Sequence, residues 1–273
     1  MESRTTSTDG CAIAFRIDGA ADAPPLLLSN PLGTNVDMWE PQMASLTARF
    51  RVIRYDTRGH GRSGAPPHEY TVDQLGRDAL AVIDAARISR AHVCGLSLGG
   101  VTAMWMSVNA PSRVDTLVLA ATAARIGSAD TWTARIDQVR AAGTEAIADT
   151  VMTRWFTDEF RRARPSIVAA YRNMLASTAR DGYAGCCAAL RDGDLRHVIG
   201  QIAAPTLVIA GAADPATPPS DGEDIRSRVS GARMVTLEAS HLLNVERPGA
   251  FNQTVTDFIG QQQHATEARR ING

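Results

Sequence analysis

The pentapeptide Gly95-Leu96-Ser97-Leu98-Gly99 lies between an apolar run, His92 to Leu96, and a helix-like run that starts at Leu98. That context reads as a strand turning sharply into a helix. Such an elbow holds its serine in a strained backbone conformation. Small residues two before and two after it prevent backbone clashes. The hydroxyl then sits at a helix N-terminus, where the dipole favours developing negative charge. A serine at its ordinary pKa is a poor nucleophile and needs a base, and the base needs an orienting carboxylate. Both follow in the chain order Ser, Asp, His: Asp214 in Gly211-Ala212-Ala213-Asp214-Pro215 and His241 in Ala239-Ser240-His241-Leu242. Each residue alone has a plainer reading: a glycine-rich turn, a turn residue before proline, a surface histidine. All three in this order, each just after a strand-like run, predict nucleophilic acyl transfer through Ser97, with His241 as base and Asp214 as its orienter.

Acyl transfer also needs two N–H donors for the oxyanion. One is the residue after the nucleophile, Leu98. The other is expected from Ser29-Asn30-Pro31-Leu32-Gly33-Thr34, which follows another apolar run. Pro31 has no N–H, so Leu32 is the better donor. The segment Arg54-Tyr55-Asp56-Thr57-Arg58-Gly59-His60-Gly61-Arg62-Ser63 contains a second His and Asp. It is dense in turn formers. We read it as a structural turn whose Asp and Arg side chains fix a loop, in preference to a second catalytic site.

These residues need a scaffold that brings distant loops to one edge. Apolar runs at residues 26–29, 52–55, 92–96, 116–120, 206–210 and 232–237 read as buried strands, and residues 12–17 alternate like an edge strand. Helical patterns occupy residues 71–86, 98–108 and 249–261, and residues 264–273 read as a polar, frayed tail. Alternating strand and helix predicts an α/β fold with a mostly parallel sheet flanked by helices. The rhythm breaks at residues 122–200, which are rich in Ala and Arg and carry no convincing strand. This stretch reads as an inserted helical cap, with residues 1–121 and 201–273 forming the core. Insertions at the carboxyl ends of strands are where such sheets bind ligands.

Composition narrows the chemistry. The 273 residues include 28 basic ones and no lysine, so every cation is an arginine. That removes Schiff-base and P-loop lysine chemistry. A net charge of −1 leaves no footprint for nucleic acid or an anionic membrane. Four cysteines without C-x-x-C spacing point to a reducing compartment, the cytoplasm, and the scattered histidines point to no metal site. The polar residues up to Asp9 do not read as a signal peptide. The uncharged residues 91–112 are long enough to span a bilayer, but their glycines and polar residues fit a buried strand, turn and helix better. No cofactor is expected, and the oligomeric state stays open.

With the elbow, the Asp56-Thr57-Arg58-Gly59-His60-Gly61 turn and the late Asp214 and His241, the chain resembles the α/β-hydrolase superfamily over nearly its whole length. It departs at the oxyanion loop, where Asn30-Pro31 replaces the His-Gly of many members. Within the superfamily it looks like the 3-oxoadipate enol-lactonases. Leu28 to Thr34, Ala123-Ala124-Arg125-Ile126-Gly127, Arg154-Trp155-Phe156-Thr157 and Asn244-Val245-Glu246-Arg247-Pro248 carry that likeness. The resemblance implies bacterial aromatic catabolism through the β-ketoadipate pathway and a small anionic lactone as substrate. The 122–200 stretch has 11 arginines against 9 acids, a small excess of the right sign. Arg135 and Arg154 are the candidates to hold the substrate carboxylate. Trp132 and Trp155 beside them are placed to cover the ring. Taken singly, each is also an ordinary helix-surface arginine or core tryptophan. On the same framework a carboxylesterase, a carbon–carbon bond hydrolase or a cofactor-free haloperoxidase would look alike. A ligand receptor without catalysis would tolerate a broken triad.

Overall fold

A strand that is apolar along its whole length needs a layer on each face of its sheet. Ala91–Leu96 and Thr206–Gly211 meet that description, with every residue buried. The computed structural model describes residues 2–272 and places both strands in one eight-stranded sheet. In chain order the strands are β1 (Glu2–Thr6), β2 (Ala12–Asp18), β3 (Pro25–Ser29), β4 (Arg51–Tyr55), β5 (Ala91–Leu96), β6 (Val114–Ala120), β7 (Thr206–Gly211) and β8 (Arg233–Leu237). They lie in the order β1-β2-β4-β3-β5-β6-β7-β8. The pairs β1–β2 and β2–β4 are antiparallel, and all other neighbours are parallel. This is the mostly parallel sheet of an α/β-hydrolase fold.

The helices are α1 (Glu40–Leu46), α2 (Val72–Ala85), α3 (Leu98–Asn109), α4 (Ala129–Ala142), α5 (Glu145–Trp155), α6 (Asp158–Ala163), α7 (Pro165–Ala176), α8 (Arg180–Asp192), α9 (Pro219–Arg228), α10 (Leu243–Glu246) and α11 (Pro248–Asn272). Five of them, α4 to α8, fall between β6 and β7. Thr71 caps α2 reciprocally with Gln74, a pairing written in their three-residue spacing. The sheet-packed helix α3 is buried on every side from Leu98 to Ser107. No helix among the described residues is long and apolar enough to cross a membrane, and residues 91–112 hold β5 and α3.

Two expectations need correction. The strand near residues 12–17 is not at the edge, because β1 pairs along its outer side. β1 is Glu-Ser-Arg-Thr-Thr, held by backbone bonds, with Arg4 and Thr6 exposed. A polar edge strand resists pairing with other chains, and it leaves no apolar signal to read. The last helix also runs to Asn272, through most of the tail expected to fray; Gly273 lies outside the described residues.

The turn after β4 ties several of these pieces together. The fully buried Arg58 side chain grips Asp78 of α2 with Nε and Nη2, at 2.6 and 2.7 Å. Its Nη1 reaches Asp9, beyond β1, at 2.7 Å. Removing one partner of a buried pair strands the other charge in low dielectric, at a cost of about 3–5 kcal/mol. Asp78→Ala is therefore expected to destabilise by about that amount in urea unfolding. A midpoint equal to that of the parent would mean that Asp9 alone satisfies the guanidinium.

Candidate active site

Ser97 joins β5 to α3 with φ 56° and ψ −116°, a conformation that side-chain-bearing residues rarely adopt. Its neighbours over-determine it. The Ser97 N–H donates to the Ala120 carbonyl at 2.9 Å, and the Thr122 hydroxyl donates to the Ser97 carbonyl at 2.8 Å. The flanking glycines are needed for contact. A Cβ on Gly95 would stand 2.1 Å from the Gly99 oxygen, and one on Gly99 would stand 2.0 Å from the Ser29 oxygen. The loop after β3 thus presses on the first turn of α3.

Asp214 follows β7 and His241 follows β8, so both emerge at the carboxyl edge that carries Ser97. His241 Nδ1 lies 2.8 Å from Asp214 Oδ2, and both side chains are buried. The other carboxylate oxygen accepts the N–H groups of Ala216 (2.8 Å) and Thr217 (3.1 Å), and the Thr217 hydroxyl donates to Oδ2 at 2.8 Å. Burial opposes ionisation of Asp214. His241 and Thr217 outweigh it and hold the carboxyl below its ordinary pKa. With Nδ1 facing the carboxylate, Nε2 is the nitrogen left to exchange a proton. Thr217 escaped the sequence reading, since a threonine three residues after an Asp is common in turns.

Ser97 and His241 line one cavity of about 620 Å³, together with Leu32, Trp132, Arg135, Arg154 and Trp155. Asp214 and the Leu98 side chain sit behind its wall, at 3% and 1% exposure. Among the described residues neither the Leu32 nor the Leu98 N–H donates to a protein acceptor, so both stay available for a ligand oxygen. The two arginines lack a carboxylate partner among the described residues. The nearest polar partner of Arg135 is the Tyr183 hydroxyl, at 3.4 Å. Trp132 is fixed by its Nε1–H, which donates to the Ile126 carbonyl at 2.6 Å. Tyr183 also lines the cavity and was missed, because a tyrosine in an amphipathic helix reads as core.

The loop that carries His241 is fastened to the 154–157 segment above it. Leu242 N–H donates to the Trp155 carbonyl at 3.0 Å, and the Ser240 hydroxyl donates to the Arg154 carbonyl at 2.7 Å. Glu246 closes the clasp by accepting the Thr157 N–H (2.7 Å) and hydroxyl (3.0 Å). Residues of the cavity wall and the His241 loop therefore share one hydrogen-bonded body.

His60 is buried in the turn after β4 and does not line the cavity. Its Nε2 accepts the Gly33 N–H at 2.9 Å, while Asp56 accepts the N–H groups of Val36 and Arg62. In this geometry the turn is a brace for the loop after β3. Asn30 is a second brace: its side chain donates to the Tyr55 carbonyl and accepts the Trp39 indole N–H.

Residues 24–248 match the α/β hydrolase fold family, and the chain belongs to that family. It is 43% identical to 3-oxoadipate enol-lactonase 2 of Acinetobacter baylyi, over 92% of this chain and 94% of that one. It is 30% identical to RutD of Variovorax paradoxus, named for carbamate hydrolysis, over 90% of this chain and 96% of that one. The crystal structure of the enol-lactonase from Burkholderia xenovorans superposes with a TM-score of 0.93 at 42% identity, covering 94% of this chain and all of the other. The chain is thus a hydrolase of the α/β-hydrolase superfamily, similar to the 3-oxoadipate enol-lactonases.

Burial of His60 pushes its pKa down to about 4 from the ordinary 6.5. An unfolded chain takes up this proton near pH 6.5, and the folded one does not until about pH 4. Stability from this group is therefore complete above pH 6.5 and declines as the pH falls toward 4, by about 3 kcal/mol in all. His60→Gln is expected to flatten that part of the pH dependence in urea unfolding. An unchanged slope would show that His60 takes up no less proton when folded.

Proposed function

We propose that the chain hydrolyses 3-oxoadipate enol-lactone to 3-oxoadipate, with Ser97 as nucleophile, His241 as base and Asp214 as its orienter. The observation that carries this reading is the content of one cavity. Two side chains able to run acyl transfer share it with two arginines that have no carboxylate of their own. Arg135 is half-buried and Arg154 exposed, and a guanidinium without an acid at a cavity wall is suited to bind an anion brought by a ligand. The likeness to the Acinetobacter and Burkholderia enol-lactonases supports the choice of lactone.

In this mechanism His241 Nε2 takes the Ser97 proton as Oγ attacks the ring carbonyl. The N–H groups of Leu98 and Leu32 stabilise the oxyanion. Collapse breaks the bond to the ring oxygen, which leaves as an enolate. The His241 imidazolium gives its proton to the departing enolate, and tautomerisation gives the ketone and leaves His241 neutral again. Water, deprotonated by His241, then cleaves the acyl-serine and releases the second carboxylate. Arg135 and Arg154 hold the acetate carboxylate throughout, while Trp132 and Trp155 cover the ring. An enolate leaves readily, so positioning and oxyanion stabilisation carry most of the rate.

Ser97→Ala should lower turnover of the enol-lactone by about 10⁵-fold or more while the protein stays folded. Loss of the enol-lactone absorbance measures this, and near-full activity would refute the serine assignment. Wild-type turnover compared across the enol-lactone, simple p-nitrophenyl esters, a carbamate and peracid formation tests the substrate class. Ligand binding with neither product nor acyl-enzyme would point to a receptor. Arg135→Lys or Arg154→Lys should raise KM about tenfold with little change in kcat, because a lysine cannot make the planar fork. If neither variant moves KM, these arginines do not bind the carboxylate.

A further inference from the structure

The oxyanion donor assigned to Leu32 has a direction, and that direction is set by two peptide planes. The Leu32 N–H shares its plane with the Pro31 carbonyl and points opposite to it. The Pro31 oxygen accepts two hydrogen bonds from Thr34, one from its N–H at 3.3 Å and one from its hydroxyl at 2.9 Å. The following plane carries the Leu32 carbonyl and the Gly33 N–H. That N–H donates to His60 Nε2 at 2.9 Å. The imidazole accepts there only with its proton on Nδ1. Nδ1 lies 3.1 Å from the Arg58 carbonyl, which can only accept, so a single neutral tautomer satisfies both contacts. The two soft dihedrals of Leu32 thus lie between two held planes.

The loop cannot relax outward either. Gly33 has φ +81°, and a Cβ on it would stand 2.3 Å from Leu175 Cδ1 of α7. Gly59, on the other side of His60, packs so closely on Gly182 of α8 that a Cβ would meet its Cα at 2.4 Å. The cap therefore presses the brace and the loop together. Rotation of either peptide plane would turn the Leu32 N–H out of the cavity or bring a carbonyl oxygen toward the place where the oxyanion forms. Among the described residues no protein acceptor takes the Leu32 N–H.

We propose that His60 and Thr34 are positioning residues that hold the Leu32 N–H toward the oxyanion. This inference rests on the acyl-transfer reading above. Neither residue lines the cavity, so their loss should act on the transition state and leave substrate binding nearly intact.

The test compares wild type with Thr34→Val, His60→Ala and His60→Gln on the enol-lactone and on an activated ester. A boronic acid inhibitor, whose adduct with Ser97 is tetrahedral, reports the oxyanion site directly. In folded His60→Ala, kcat should fall about 10- to 100-fold and the boronic acid Ki should rise in parallel, with KM within about threefold. Thr34→Val, which is isosteric and unlinked to the buried turn, should show the same pattern at about tenfold. His60→Gln offers an oxygen acceptor to Gly33 and should recover most of the loss. Thr34→Val with kcat and Ki within twofold of wild type would overturn the role, as would folded His60→Ala with both unchanged. Ser97→Ala, run alongside, separates the two claims: retained turnover there refutes acyl transfer through Ser97 itself. An inactive Ser97→Ala with unaltered brace variants refutes only the positioning role.

Discussion

The site depends on one close approach: the end of β5, the start of α3 and the loop after β3 meet at backbone contact. Ser97 can take its left-handed conformation because the strand on one side and the helix on the other are both anchored in the core. Gly95 and Gly99 then let the backbones close to distances that any Cβ would forbid. A strained residue persists only where its surroundings outweigh the strain. Here the Ala120 carbonyl and the Thr122 hydroxyl complete that enclosure. The same contact sets the loop after β3 beside the serine, so one packing constraint places the hydroxyl and both candidate oxyanion donors.

A second layer of order comes from the turn after β4. Arg58 anchors it to α2 and to the chain before β2, and Gly59 anchors it to α8. From that fixed position His60 and Asp56 reach the loop after β3. The opposite wall of the cavity is built in the same manner, with the His241 loop clasped to residues 154–157 through Glu246. Hydrogen bonds on one side and close backbone packing on the other thus join the carboxyl edge of the sheet to the helices above it. Arg135 and Arg154 line the cavity on the same hydrogen-bonded body that carries His241.

The absence of lysine shapes how charge is used. A guanidinium keeps its charge at any working pH, so an arginine must find an acid, a carbonyl or solvent. Arg58, Arg54 and Arg172 end on carboxylates of their own chain. Arg135 and Arg154 do not, and they face the cavity. The slight positive excess of the 122–200 stretch is too diffuse to mean much as a total. Its meaning comes from where Arg135 and Arg154 stand, in the wall of the cavity that holds Ser97 and His241.

The amino-acid sequence by itself determined the alternation of strand and helix, the elbow at Ser97, the order of Ser97, Asp214 and His241, and the α/β-hydrolase class. Those features are written in patterns a few residues long, where apolar period, glycine placement and helix capping act directly. It could not show β1, whose polar residues pair through backbone alone. Nor could it show Thr217 at Asp214, Tyr183 in the cavity wall, Glu246 holding Thr157 or His60 holding Gly33. The last two contacts join residues 89 and 27 positions apart. A hydrogen bond between such positions depends on how the layers pack and leaves no local trace, so only the tertiary structure decided which side chains brace the site and which of the many arginines face it.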